Sequence, residues 1–176
     1  MLDVLNENGI KTGEIASRKD VHKLGLWHRA CICIIVNDDN EILMQKRAEN
    51  KEKYPGLWDI SVASHVASKD NSLKTVMRET NEEIGVQIGY RAEVRDFRFL
   101  TSFRSQLRIG DFIENQFYDL FVLRRNLDPA TLSFTDEEVS EVRYLKYADI
   151  LKLKNSEQLH PRTEWFDEVF DFISSF

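Results

Sequence analysis

The sequence has no run of 18 apolar residues and no N-terminal stretch in which basic residues lead into an apolar segment. From these absences neither a helical membrane span nor a secretory signal is expected. Cysteine is scarce, with 2 residues in 176, so there is no disulfide framework. Cys31 and Cys33 alternate within an apolar run, which puts both on one face of a strand. Two buried core thiols explain them better than a metal pair, because a zinc site usually takes four ligands. A cytoplasmic protein is the expectation. Excess positive charge is missing too. A net charge of −6 and a pI near 5.3 argue against a chain that wraps a nucleic-acid backbone. They leave room for a small anionic ligand held in a local basic pocket. Repeats, low-complexity tracts and linker-like stretches are absent, while 42% hydrophobic and 31% charged residues are ordinary globular values. One domain over residues 1–176 is expected, with 1–26 as an N-terminal extension.

What is present reads mostly as strands. "MLDVLNENGIKTGE" surrounds an Asn-Gly pair with apolar residues and predicts a small hairpin. "RACICIIV" and "EILMQKR", separated by "NDDN", predict strand–turn–strand, and "YPGLWD" turns at Pro55-Gly56. "DISVASHV" predicts a short strand. Asn71 or Ser72 caps a helix whose buried stripe is Leu73, Val76, Met77, Thr80 and Ile84, with Gly85 after its end. Further strands are expected in "AEVRDFRFLTSF", "NQFYDLFVLRR" and "EVRYLKY", then a short helix in "YADILKLK". The aromatic stripe of "RTEWFDEVFDFISSF" predicts a terminal amphipathic helix. Such an order suggests an α+β fold, with helices layered against a mixed sheet.

Glu79, Glu82 and Glu83 stand three and four residues apart on one helix face, outside the apolar stripe. Like charges at that spacing repel by a few tenths of a kcal/mol per pair, on the order of 0.2–0.5. A hard divalent cation reverses the sign, because carboxylate oxygens are its preferred ligands. Taken alone, the cluster fits a solvated acidic face equally well.

The wider spacing is more specific. From Ser64 to Val86 the chain reads S-x5-D-x7-R-E-T-x-E-E-x-G-V. This resembles the Nudix box, G-x5-E-x7-R-E-U-x-E-E-x-G-U, where U is a bulky aliphatic residue. The resemblance implies an α/β/α sandwich around a mixed sheet, with residues 64–86 as the loop and helix of the box. It implies Mg2+ or Mn2+ bound by Glu79, Glu82 and Glu83, with help from the Ser64 backbone carbonyl. Arg78 then has a structural role, with Asp70 as its candidate partner. Three positions depart from the family: Ser64 replaces a glycine, Asp70 a glutamate and Thr80 an aliphatic residue. Serine tolerates positive φ poorly.

"LMQKRAENKEKYPGLWDISVASHV" looks like the branch that includes the type I isopentenyl-diphosphate isomerases. Those enzymes need a proton donor and acceptor flanking an alkene. Ala63 stands where that branch has its cysteine and Gln116 where it has its glutamate. A methyl group transfers no proton, and a primary amide is a poor acid or base. The three box glutamates meanwhile persist. The resemblance therefore favours hydrolysis of a diphosphate linkage, in a nucleoside diphosphate derivative or a related small diphosphate. An isomerase of unusual mechanism and a diphosphate-binding module without turnover are the alternatives.

The isomerase branch also implies a second metal site at His22, His28, His65 and Glu114, although each histidine alone reads equally as a surface or core-capping residue. Arg47 and Lys51 fall where the branch has basic residues for the diphosphate, and a fork plus a point charge suit that ligand. Glu138 is a weaker candidate for an added ligand or base. Phe103, Arg104 and Arg108 offer either a base-stacking and phosphate contact or an ordinary exposed hairpin. A homodimer is a family-level expectation only.

Overall fold

A computed structural model describes residues 1–83, 93–132, 138–161 and Phe170. Ile84, Gly85 and Val86, and the segment expected as a terminal helix apart from Phe170, lie outside the described residues. The N-terminal hairpin forms as expected, from β1 (Leu2–Leu5) and β2 (Lys11–Ala16). Residues read as the rest of the extension instead build a helix, α1 (Arg18–Leu24). Its ends are well specified. The Ser17 hydroxyl accepts the Asp20 N–H at 3.1 Å, and Gly25 takes the left-handed conformation beyond its last turn.

The remaining strands form one mixed sheet. β3 (His28–Val36) is central, antiparallel to β4 (Ile42–Arg47) and β6 (Val62–His65), and parallel to β8 (Phe112–Arg124). β5 (Trp58–Asp59) and β9 (Val139–Leu145) pair with β4, while β7 (Phe97–Ile109) pairs with β8. Because β3 is covered on both faces, it reads as a continuous apolar run. Ile32, Ile34 and Val36 enter one core cluster with Ile150 of α3 (Tyr147–Asn155). Cys31, Cys33 and Ile35 enter the other, with Val76 of α2 (Ser72–Glu83). Helices thus lie on both faces of a mixed sheet, and the fold is α+β. Both cysteines are free and fully buried, and burial raises both thiol pKa values, that of Cys33 to about 12.

Asn71 caps α2, its side chain accepting the Lys74 N–H at 2.9 Å. Val76 and Thr80 are fully buried, and Leu73 and Met77 pack against the same cluster, so the apolar stripe lies where its spacing put it. The Thr80 hydroxyl donates to the Val76 carbonyl at 2.7 Å, which lets a polar group occupy an aliphatic position. Among the described residues, no helix is long and apolar enough to cross a membrane.

Candidate active-site cleft

The outer face of α2, the end of β6, α1 and the loop after β4 surround an open cleft of about 1220 Å³. Glu79, Glu82 and Glu83 all line it, from one turn of α2. Arg78 answers part of their repulsion, with its guanidinium 2.5 Å from Glu79 and 2.7 Å from Glu82. Gln45 donates to Glu83 at 3.4 Å. Arg78 is therefore bound to the glutamates themselves, not to Asp70. The Asp70 carboxylate instead accepts from the Asn71 N–H and the Thr75 hydroxyl at the start of the helix. Its shorter side chain suits that local contact.

Ser64 also lines the cleft. It lies within β6, paired with Cys31, and is not among the residues with positive φ. The serine therefore meets no left-handed strain. Three carboxylates and a carbonyl make an all-oxygen donor set, which fits a hard ion such as Mg2+ or Mn2+.

Arg47 and Lys51 line the cleft as well, each tied into the protein. Arg47 donates from Nε and a terminal nitrogen to the Lys53 carbonyl, and from Nε to that of Tyr54 at 3.1 Å. Its other terminal nitrogen is 3.4 Å from the buried Asp59 carboxylate. This fork pins a loop in which Tyr54 holds a φ of 53°. Lys51 pairs with Glu138 at 2.9 Å, so Glu138 is brought to the cleft by the cation expected to share it. Phe103, Arg104 and Arg108 are not part of the cleft. Arg104 lies over the Trp27 ring at 4.4 Å, and Phe103 stacks on Tyr118.

Three histidines converge at another part of the wall. The ligand atoms of His22, His28 and His65 lie within 4.8 Å of one another, although they come from α1, β3 and β6. The Nδ1 of His22 is 2.7 Å from the Arg18 carbonyl and that of His28 is 2.9 Å from the Leu26 carbonyl. A carbonyl only accepts, so each Nδ1 carries hydrogen. Burial lowers the pKa of both rings, that of His28 to about 4, so both are neutral near pH 7. Their Nε2 lone pairs therefore point inward.

The Nε2 of His65 lies 3.3 Å from that of His22. The Gln116 amide donates to His28 at 3.0 Å and to His65 at 3.1 Å. With both amide hydrogens used, three imidazole lone pairs meet without a proton among them. Glu114, 3.9 Å from His22, adds negative charge. This donor set suits a borderline divalent cation, and backbone-anchored Nδ1–H groups are the usual support for such ligands. Gln116 reaches the cluster because β8 runs parallel to β3 and puts it beside His28 in register.

Sequence reasoning missed several cleft residues. Arg18, Lys19 and Lys23 arrive on α1, and Lys53 on the pinned loop. Phe112 stacks on His22 at 4.5 Å, and the Lys53 ammonium lies 2.9 Å from the Phe112 ring centroid. His160 reaches the cleft from beyond α3 and meets Tyr54 edge-on. The one local signal was the Ser17–Asp20 cap with Gly25, which marks α1.

A family model for the NUDIX domain matches residues 26–166. The chain is 39% identical over 151 residues to Nudix hydrolase 3 of Arabidopsis thaliana, covering 84% of this chain and 19% of that protein. The chain thus spans about a fifth of that relative's length. It is 30% identical over 166 residues to isopentenyl-diphosphate Delta-isomerase 1 of Photorhabdus laumondii, covering 93% of this chain and 88% of the relative. DR0079 of Deinococcus radiodurans has a similar fold, with a TM-score of 0.72, 20% identity and 98% of each chain covered. The match over most of the chain agrees with the box glutamates lining a cleft, and the protein belongs to the Nudix family.

Proposed function

We propose that the protein is a divalent-metal-dependent Nudix hydrolase that cleaves a diphosphate linkage in a nucleoside diphosphate derivative or a related small diphosphate. The observation that carries this reading is the convergence of Glu79, Glu82 and Glu83 on a cleft also lined by Arg47 and Lys51. Glu79, Glu82 and Glu83, with the Ser64 carbonyl, would hold Mg2+ or Mn2+. Bound there, the ion supplies charge neutralisation and a more acidic water. Arg47 and Lys51 contact the diphosphate, and Lys51 exchanges Glu138 for a phosphate oxygen as substrate enters. A cleft carboxylate takes the proton as water attacks phosphorus in line, and the bond to the leaving phosphate oxygen breaks.

The second reading, an isomerase of unusual mechanism, draws on the histidine cluster. Ala63 and Gln116 count against it, since neither can move a proton between carbons. A panel of nucleoside diphosphate derivatives plus isopentenyl diphosphate, incubated with Mg2+ or Mn2+ and followed by phosphorus NMR, decides between them. Metal-dependent release of phosphate or a monophosphate, lost in Glu82→Gln and Glu83→Gln, is the expected outcome. Conversion to dimethylallyl diphosphate without phosphate release supports the isomerase. Saturable binding with neither product rejects both in favour of a binding module.

A further inference from the structure

The Phe112 ring stands at the cleft wall with a different neighbour on each face. His22 stacks on one face, its ring tilted by only 13° and its centroid 4.5 Å away. That hold is rigid, because His22 is bonded to the Arg18 carbonyl and meets His28 and His65 edge-on. The Lys53 ammonium lies 2.9 Å from the same ring centroid. Two groups that close to a ring centre cannot share one face without overlap, so the ammonium covers the other. Its hold is loose. Lys53 is exposed and has no ion-pair partner among the described residues, and Glu114 and Glu52 act on it only from farther away. Its backbone, by contrast, is fixed, since the Lys53 carbonyl accepts from the Arg47 guanidinium at 2.9 Å. One lysine side chain therefore spans from Arg47 to the ring.

We propose that Phe112 is the platform for a substrate nucleobase and that Lys53 is its resting cover: the base takes the ring face, and the displaced ammonium turns to the phosphates. This rests on the diphosphate reading of the cleft and narrows it to nucleoside diphosphate derivatives. A base presents a whole π-face to the ring and gains more there than one exposed ammonium does. The ammonium in turn finds in a phosphate oxygen the charged partner that no carboxylate gives it at rest.

The surroundings favour a base over a hydrocarbon tail. Asp111 precedes Phe112, Glu114 follows it and Lys23 adjoins His22, and all three line the cleft. A prenyl chain would dehydrate such charges without pairing them, whereas the edge of a base carries donors and acceptors. Phe103, the aromatic residue expected to stack, packs on Tyr118 instead. The exchange also sorts ligands. A diphosphate without a base draws the ammonium away and leaves the ring face bare, so it lacks the stacking gain.

The test is calorimetric titration of the full chain with ADP and with ribose 5-diphosphate, in a Glu82→Gln background that stops turnover. The two ligands differ only in the base, so the ratio of their affinities reports stacking. ADP should bind about 10-fold or more tightly. Phe112→Leu should erase that preference and leave ribose 5-diphosphate binding within about 3-fold, while Phe112→Tyr keeps the preference. Lys53→Met should weaken both ligands, through the lost phosphate contact. Equal affinity for the two ligands overturns the proposal, as does a preference that survives in Phe112→Leu, and unchanged binding in Lys53→Met overturns the exchange. With the ring left native, nuclear Overhauser contacts between adenine protons and the Phe112 ring are expected. Their absence with ADP bound also overturns it. A chain that binds neither ligand loses the diphosphate reading as well, whereas one that binds both equally loses only this proposal.

Discussion

Acidification should destabilise the metal-free protein through His28, by an amount the structure sets. The ring is fully buried, with Nδ1–H donating to the Leu26 carbonyl and Nε2 accepting from Gln116. Burial is the chief cause holding its pKa at about 4, opposed in part by the bond to the Leu26 carbonyl and reinforced by the Arg18 charge. In the unfolded chain the same group titrates near 6.5. Between those values the unfolded state binds more protons, so stability is highest above pH 6.5 and falls as the pH drops toward 4. A gap of about 2.5 units corresponds to about 3.4 kcal/mol in full. About 2 kcal/mol of that is lost between about pH 7.5 and about pH 5. Guanidinium denaturation of chelator-treated protein across this range, beside His28→Gln, measures it. The variant will have a lower baseline, because the site is tightly packed, but a shallower fall with acid. His22, whose pKa burial also lowers, is present in both proteins and drops out of the difference. Parallel curves for the two proteins refute the reasoning.

Gly25→Ala should lower stability by roughly 1–2 kcal/mol, because the new Cβ combines a φ of 64° with a contact 3.0 Å from Ile113. A thermal melt checks this. Thr80→Val restores an aliphatic residue at a fully buried position and removes a hydroxyl bonded within its own helix. It should change stability by less than about 1 kcal/mol and leave hydrolysis intact. Arg29→Met removes the guanidinium 2.7 Å from the buried Asp119, which keeps hydroxyl donors on Ser72 and Ser102. A loss of about 2 kcal/mol in denaturant unfolding is expected, below the full cost of stranding a buried charge.

Local patterns carried much of the architecture. The paired apolar runs of β3 and β4, and the Asn71-capped stripe of α2, are written in residues close in sequence. The carboxylate triplet was legible for the same reason, since one turn of helix places it. The partner of Arg78 was not, because i,i+4 contact with Glu82 competes with the more distant Asp70, and spacing alone does not rank them. α1 was read as part of the hairpin extension, for its apolar periodicity is thin and its caps are the stronger mark. The histidine cluster needed tertiary knowledge. His22, His28 and His65 come from three elements, and only the parallel pairing of β3 with β8 puts Gln116 among them. Lys53 and Phe112 face the cleft through loop and hairpin geometry that no short-range pattern encodes.

Placing the ion would test the account most directly. In crystals soaked with Mn2+, anomalous scattering should show a peak within about 2.2 Å of carboxylate oxygens from Glu79, Glu82 and Glu83. Strong Mn2+ density elsewhere, with those three side chains turned to bulk water, would contradict it.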